Sequence, residues 1–233
     1  MLDQRVLRFG GAMAMAGAVL GLIFNLLHPR GDAAVFDDAA AEVAVVSTTD
    51  MWSLIHYMLA ISVLLGLLAL LVVGRSFRTE PSASWGLLAG GIGIASSAVL
   101  FVAVVLDGFA MERLTDGSAG AAEAVHAVIW ATFTGGIVTY FGLTPMLFGI
   151  AMVSGADYPR WLGYLALAGG GLGFVTGTIQ WFTGPTSFTM NVLFLIASLV
   201  VTIWFLLTGR ELWRRAGGAM EPASHAVAPP PVA

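Results

Sequence analysis

Apolar residues fall in six long runs, at about 9–27, 52–73, 85–106, 123–153, 161–182 and 188–208, and the stretches between them hold nearly all of the charge. Most runs are near the ~20 residues that a helix needs to cross a bilayer. The pattern predicts an all-α polytopic membrane bundle, one domain over residues 1–210 with six transmembrane helices. The run over 123–153 is too long for one straight crossing, and Gly142 and Pro145 are expected to kink it, because proline removes a backbone donor and crowds the preceding turn. Arg5 and Arg8 precede the first run as they would a signal peptide. That run exceeds the usual ~7–15 apolar residues and no small-residue cleavage site follows Leu27, so it reads as a retained helix.

Arginine sets the expected orientation. With a cytoplasmic N-terminus, Arg5, Arg8, Arg75, Arg78, Arg160, Arg210, Arg214 and Arg215 all lie inside, and only Arg30 and Arg113 lie outside. That asymmetry predicts that both termini are cytoplasmic. Trp85 and Trp161 then open helices at the inner interface, while Trp52 and Trp181 belong to the outer aromatic belt. The two long loops, 28–51 and 107–122, are external and acidic. Residues 33–46 are expected to form a short surface helix with Asp32 as N-cap. The Ala- and Pro-rich tail, 217–233, is expected to be disordered.

Composition narrows the class further. The chain is 58% hydrophobic and 10% charged, far from a soluble domain, and its mean hydropathy is +0.88. All ten basic residues are arginine, the net charge is −4, and no basic stripe offers a face to nucleic acid. The lipid bilayer is the expected surrounding, with a membrane-protein partner or a second copy as possible companions. Without cysteine there is no thiolate ligand or nucleophile. No G-x-S-x-G elbow, H-E-x-x-H, P-loop or dinucleotide fingerprint occurs, so the reading leans away from an enzyme. Glycines spaced by four (Gly17 and Gly21; Gly86 and Gly90; Gly169, Gly173 and Gly177) predict faces where helices pack closely.

The polar residues within the runs are the most informative feature. Asn25 and His28 end the first run, His56 lies one turn into the second, and Asp107 closes the third. Glu123 and His126 open the fourth, with Trp130 on the same helical face; Gln180 ends the fifth, and Asn191 lies in the first turn of the sixth. All fall at the outer end, whereas the inner halves carry almost only apolar residues, Ser and Thr. A transporter that alternates access more often has polar groups or broken helices at mid-membrane. The leading expectation is therefore a non-enzymatic membrane protein with an outward-facing His/carboxylate pocket for a small ligand or partner, with a small-solute transporter as a further alternative.

Three roles for the histidines stand side by side. Interfacial, hydrogen-bonded imidazoles are the commonest. A cofactor is the second: His56 and His126 as axial ligands of a haem, or His28, His56 and His126 with Asp107 or Glu123 around Zn²⁺ or Cu²⁺, ions that suit imidazole and carboxylate. Proton chemistry is the third. Glu123 and His126 have the Glu-x-x-His spacing of di-iron bundles, but those sites use two such motifs and only one is present.

The arginine-led first span, the Gly31-Asp32-Ala33-Ala34 loop and the Trp-containing second helix resemble bacterial six-helix integral membrane families of unknown function. The likeness covers about the first hundred residues as sequence and the remainder as topology. It implies a bacterial cytoplasmic membrane and carries over no site residues.

Overall fold

The computed structural model describes residues 2–29, 38–115 and 119–218. Helix α1 (Gln4–Leu27) starts where the Asp3 carboxylate accepts the Arg5 N–H at 2.9 Å and ends at His28-Pro29. A short helix α2 (Ala39–Thr48) follows, capped by Asp38, whose carboxylate accepts the Ala40 N–H at 2.8 Å. The cap is therefore Asp38, later than expected; Asp32 and the Gly31–Ala34 loop lie outside the described residues. Asp38 suits the described helix because its side chain meets a free N–H of the first turn.

Helices α3 (Trp52–Arg75), α4 (Ser82–Met111), α5 (Ala119–Ser154), α6 (Arg160–Thr183) and α7 (Thr189–Gly217) complete the chain. With α1 they make, among the described residues, six helices long and apolar enough to cross a membrane, which suggests a multi-pass membrane protein. The tail beyond residue 218 lies outside the described residues. The spans contact one another in chain order, α1 on α3, α3 on α4, α4 on α5, α5 on α6 and α6 on α7, and α7 returns to α1. The bundle is thus a closed ring.

Three of the helices widen into π turns, at Leu106–Met111 in α4, Ile137–Leu143 in α5 and Thr189–Phe194 at the start of α7. The second lies where the irregularity near Gly142 and Pro145 is expected. Pro145 has no N–H to continue the α ladder, and the Thr144 N–H reaches back instead to the Thr139 carbonyl. Gly142 follows the same turn onto α6: a Cβ there would lie 2.8 Å from the Phe174 backbone, and one on Gly173 would strike the Phe141 carbonyl. The glycine face of α6 serves two neighbours, since Gly173 and Gly177 pack on α5 while Gly169 packs on Val200 and Val201 of α7.

The end of the bundle away from the histidines is tied by polar contacts. Tyr158, between α5 and α6, shares a 2.5 Å hydrogen bond with Ser76, and the Arg215 guanidinium stacks 4.6 Å over its ring while donating to the Ser76 carbonyl at 3.1 Å. Asp157 accepts from the Arg78 and Thr79 backbone N–H groups and from the Thr79 hydroxyl, at 3.1, 3.2 and 2.8 Å. Partial burial works to raise the Asp157 carboxyl, but those donors outweigh it and hold it below its ordinary value.

Candidate functional site

The site forms where α1 ends, α3 begins and α4 opens into its π turn. His28 has its Nδ1 2.9 Å from the Pro29 carbonyl, and His56, one turn into α3, has its Nδ1 2.9 Å from the Trp52 carbonyl. A carbonyl only accepts, so both Nδ1 atoms carry a proton, and in the neutral rings both Nε2 atoms present a lone pair. These two Nε2 atoms face each other at 3.2 Å, and His56 Nε2 is also 3.1 Å from Asp107 Oδ2. Among the described residues His28, His56 and Asp107 form a group whose ligand atoms all lie within 4.8 Å of one another. His56 is buried at 2% exposure, and His28 and Asp107 are half-buried.

Two neighbours hold the group in shape. Trp52 was expected in an outer aromatic belt, but it is buried at 3% exposure, its indole N–H donates to the Asp107 carbonyl at 3.0 Å, and its ring lies 4.4 Å from that of His56. The belt position fails because the first turn of α3 faces the π turn of α4; Trp181, by contrast, is 65% exposed. Gly108 lets the π turn approach, since any Cβ there would overlap the Cβ of His56.

A second cluster adjoins the first. His126 Nε2 accepts the Trp130 indole N–H at 2.9 Å and lies 3.0 Å from Glu42 Oε2. Glu42 comes from α2 and is 3% exposed. Burial, and then the Asp107 carboxylate beside it, raise the Glu42 carboxyl to about 9. At neutral pH Glu42 therefore keeps a proton, which supplies a donor where two carboxyl groups and a lone-pair nitrogen meet.

The expected His56–His126 pair is thus not the one that forms. Both ring nitrogens of His56 engage Trp52, His28 and Asp107, while His126 turns to Glu42 and Trp130. Glu123 is exposed and joins neither cluster. Gln180 lies away from the cavity walls: its amide donates to Thr189 Oγ1 at 3.3 Å and to Met190 Sδ at 2.7 Å, tying α6 to α7. Asn25, Trp130 and Asn191 do line the cavity. Glu42 was read only as one of several loop acids, and its place in an Ala/Val-rich segment was the one available hint.

A cavity of about 140 Å³ is lined by His28, His56 and Asp107 of the first cluster and by Glu42 and Trp130 of the second. A second cavity of about 120 Å³ shares with it a wall made by Asn25, Leu59, Val104, Phe133 and Phe194. All three π turns reach these cavities: Asp107 comes from the first, Tyr140 and Phe141 from the second, and Met190, Asn191 and Phe194 from the third. Such widened turns often occur at functional sites, because they redirect side chains out of the regular helical register. Compared with known proteins, the chain matches no protein-family model, no curated protein and no solved structure.

Proposed function

We propose that this chain is a multi-pass protein of the bacterial cytoplasmic membrane, with both termini inside, whose outward-facing pocket binds a divalent transition-metal ion between His28, His56 and Asp107. The observation that carries the reading is the 3.2 Å approach of two imidazole lone pairs beside a carboxylate, an arrangement of acceptors that calls for a cation between them. Two of the three ligand spacings match Zn²⁺, and the third, between His28 and Asp107, lies within 4.8 Å. Bonds of about 2.0–2.1 Å at the tetrahedral angle separate ligand atoms by about 3.3 Å, and the His28–His56 and His56–Asp107 separations are 3.2 and 3.1 Å. The Nδ1–H bonds to backbone carbonyls are the outer contacts that fix the tautomer of metal-binding histidines. Three protein ligands leave a fourth position for water or a ligand.

Haem between His56 and His126 is disfavoured because His56 turns its ring nitrogens to Trp52, His28 and Asp107, and a haem between His28 and His56 meets a further obstacle. Axial nitrogens on opposite sides of an iron stand about 4 Å apart with a porphyrin between them, given bonds near 2.0 Å, and His28 and His56 are closer than that. A proton on His56 is the competing occupant, since it too would join the acceptors. Metal analysis and Zn²⁺ titration of the detergent-purified protein decide between them. One ion per chain, lost in His56→Ala and in Asp107→Asn, is expected; wild-type protein that binds no Zn²⁺, Cu²⁺ or Fe²⁺ overturns the metal reading.

A further inference from the structure

The second cavity is what the metal centre leaves unexplained. It lies deeper along α3: from Trp52 to Gly66 is about 21 Å at a rise of 1.5 Å per residue, and the first cavity reaches only to Leu59. Its wall is mostly apolar, with Asn25, Tyr140 and Thr202 as polar groups beside two serines. Ser62 and Ser198 both contribute to it, yet their hydroxyls donate to the Gly17 and Leu195 carbonyls at 3.0 Å each, so neither seeks water. Phe133, Phe141 and Phe194 line it with rings 5.1–5.4 Å apart, and Tyr140 and Phe205 close it below. Gly17, Gly21 and Gly66 line the other side, where an added Cβ would meet Ser62, Leu65 or Tyr140. An apolar hole of this size resembles an engineered cavity of ~150 Å³ that stays dry and takes up benzene.

We propose that the ligand of this protein is a single-chain amphiphile, whose carboxylate head completes the coordination of the metal at His28, His56 and Asp107 and whose hydrocarbon chain occupies the second cavity. The inference rests on the metal reading above and adds the class of ligand to it. Charge selects the head. A divalent ion with one carboxylate and two neutral imidazoles carries a net +1, which a monoanion cancels and a phosphate dianion overshoots; in a buried site an uncompensated charge is costly. Size selects the tail, since cavities of about 140 and 120 Å³ accommodate one chain and not the two of a membrane phospholipid. The shared lining of Asn25, Leu59, Val104, Phe133 and Phe194 sets the two cavities side by side, so the tail would reach the second by passing these side chains.

The test uses the full chain in lipid nanodiscs loaded with Zn²⁺, titrated with straight-chain carboxylates from acetate to decanoate, with empty nanodiscs as reference. Affinity should rise by up to about fourfold per methylene buried and level off when the cavity is full. Thr202→Phe and Ser198→Leu, which intrude on the second cavity alone, should each weaken octanoate binding about tenfold or more while Zn²⁺ titrates as in wild type. That Zn²⁺ titration also reports folding, and two independent variants guard against one collapsing. If Zn²⁺ binds but affinity is blind to chain length, or rises only as it does in empty nanodiscs, the amphiphile proposal falls and the metal reading stands. If the wild type takes up no Zn²⁺, the metal reading falls first and the head assignment falls with it.

Discussion

His28 and His56 come from helices that are separated in sequence by the whole of α2, yet their Nε2 atoms meet at 3.2 Å, each ring locked from behind by a backbone carbonyl. Neither imidazole can supply a proton to the other in that tautomer. The relationship is therefore a demand for a positive charge, and Asp107, 3.1 Å from His56, points the same way. Zn²⁺ at one hundred times its dissociation constant should stabilise the protein by about 2.7 kcal/mol. A rise in melting temperature that EDTA reverses, and that His28→Ala abolishes, is the expected result. A melting temperature indifferent to both would count against the centre.

Gly108 and His56 offer a way to disturb the site from behind. Gly108→Ala puts a methyl into the Cβ of His56, so the ring must move away from His28 and Asp107. Zn²⁺ affinity should fall at least tenfold, whereas Gly120→Ala, whose new methyl meets nothing within 4 Å, should leave it unchanged. The comparison needs only a metal titration on two purified variants. Equal affinities would mean that the π turn does not position the histidine.

Packing between α5 and α6 depends on Gly173. Gly173→Leu would drive a branched side chain into the Phe141 carbonyl, and overpacking of this kind typically costs about 1–3 kcal/mol or more. Leu172→Ala, at a half-buried neighbouring position, should cost less. Expression level and thermal melting in detergent separate the two. A Gly173→Leu protein that accumulates and melts like wild type contradicts the close α5–α6 approach.

Asp157 makes stability at the opposite end depend on acid. Its carboxyl is held below the ordinary value in the folded protein, so it contributes stability above the unfolded value near 3.9 and loses it as pH falls through the folded value. Asp157→Ala should cost about 1 kcal/mol at neutral pH, a modest figure because the group is largely solvated. The gap between variant and wild type should shrink below about pH 4. A gap that persists unchanged into acid would show that the donors of Arg78 and Thr79 do not favour the charged form.

Orientation is open to reporter fusions. A reporter placed after Arg78, or at the C-terminus, should read cytoplasmic, and one near Asp116 should read external, as the arginine asymmetry predicts. An external C-terminus would invert the assignment and turn the metal pocket toward the cytoplasm.

By itself the sequence determined the all-helical class, the six candidate spans and the end at which polar chemistry gathers. These are legible because lipid solvates no backbone polar group, so each crossing must be a long apolar helix, and every buried His, Asn or Asp stands out against it. It also located the irregularity near Gly142 and Pro145, since a missing N–H is a local fact. Partner choice was not legible. Whether His56 meets His28 or His126 depends on how each helix is rotated in the ring, and no periodicity in an almost wholly apolar span records that rotation. Glu42 escaped notice because an acid in a loop reads as solvated until α2 folds over the site and buries it. The three π turns and the second cavity exist only where neighbouring helices close around them, because one added residue in a turn leaves no compositional trace, and a void is a property of several helices together.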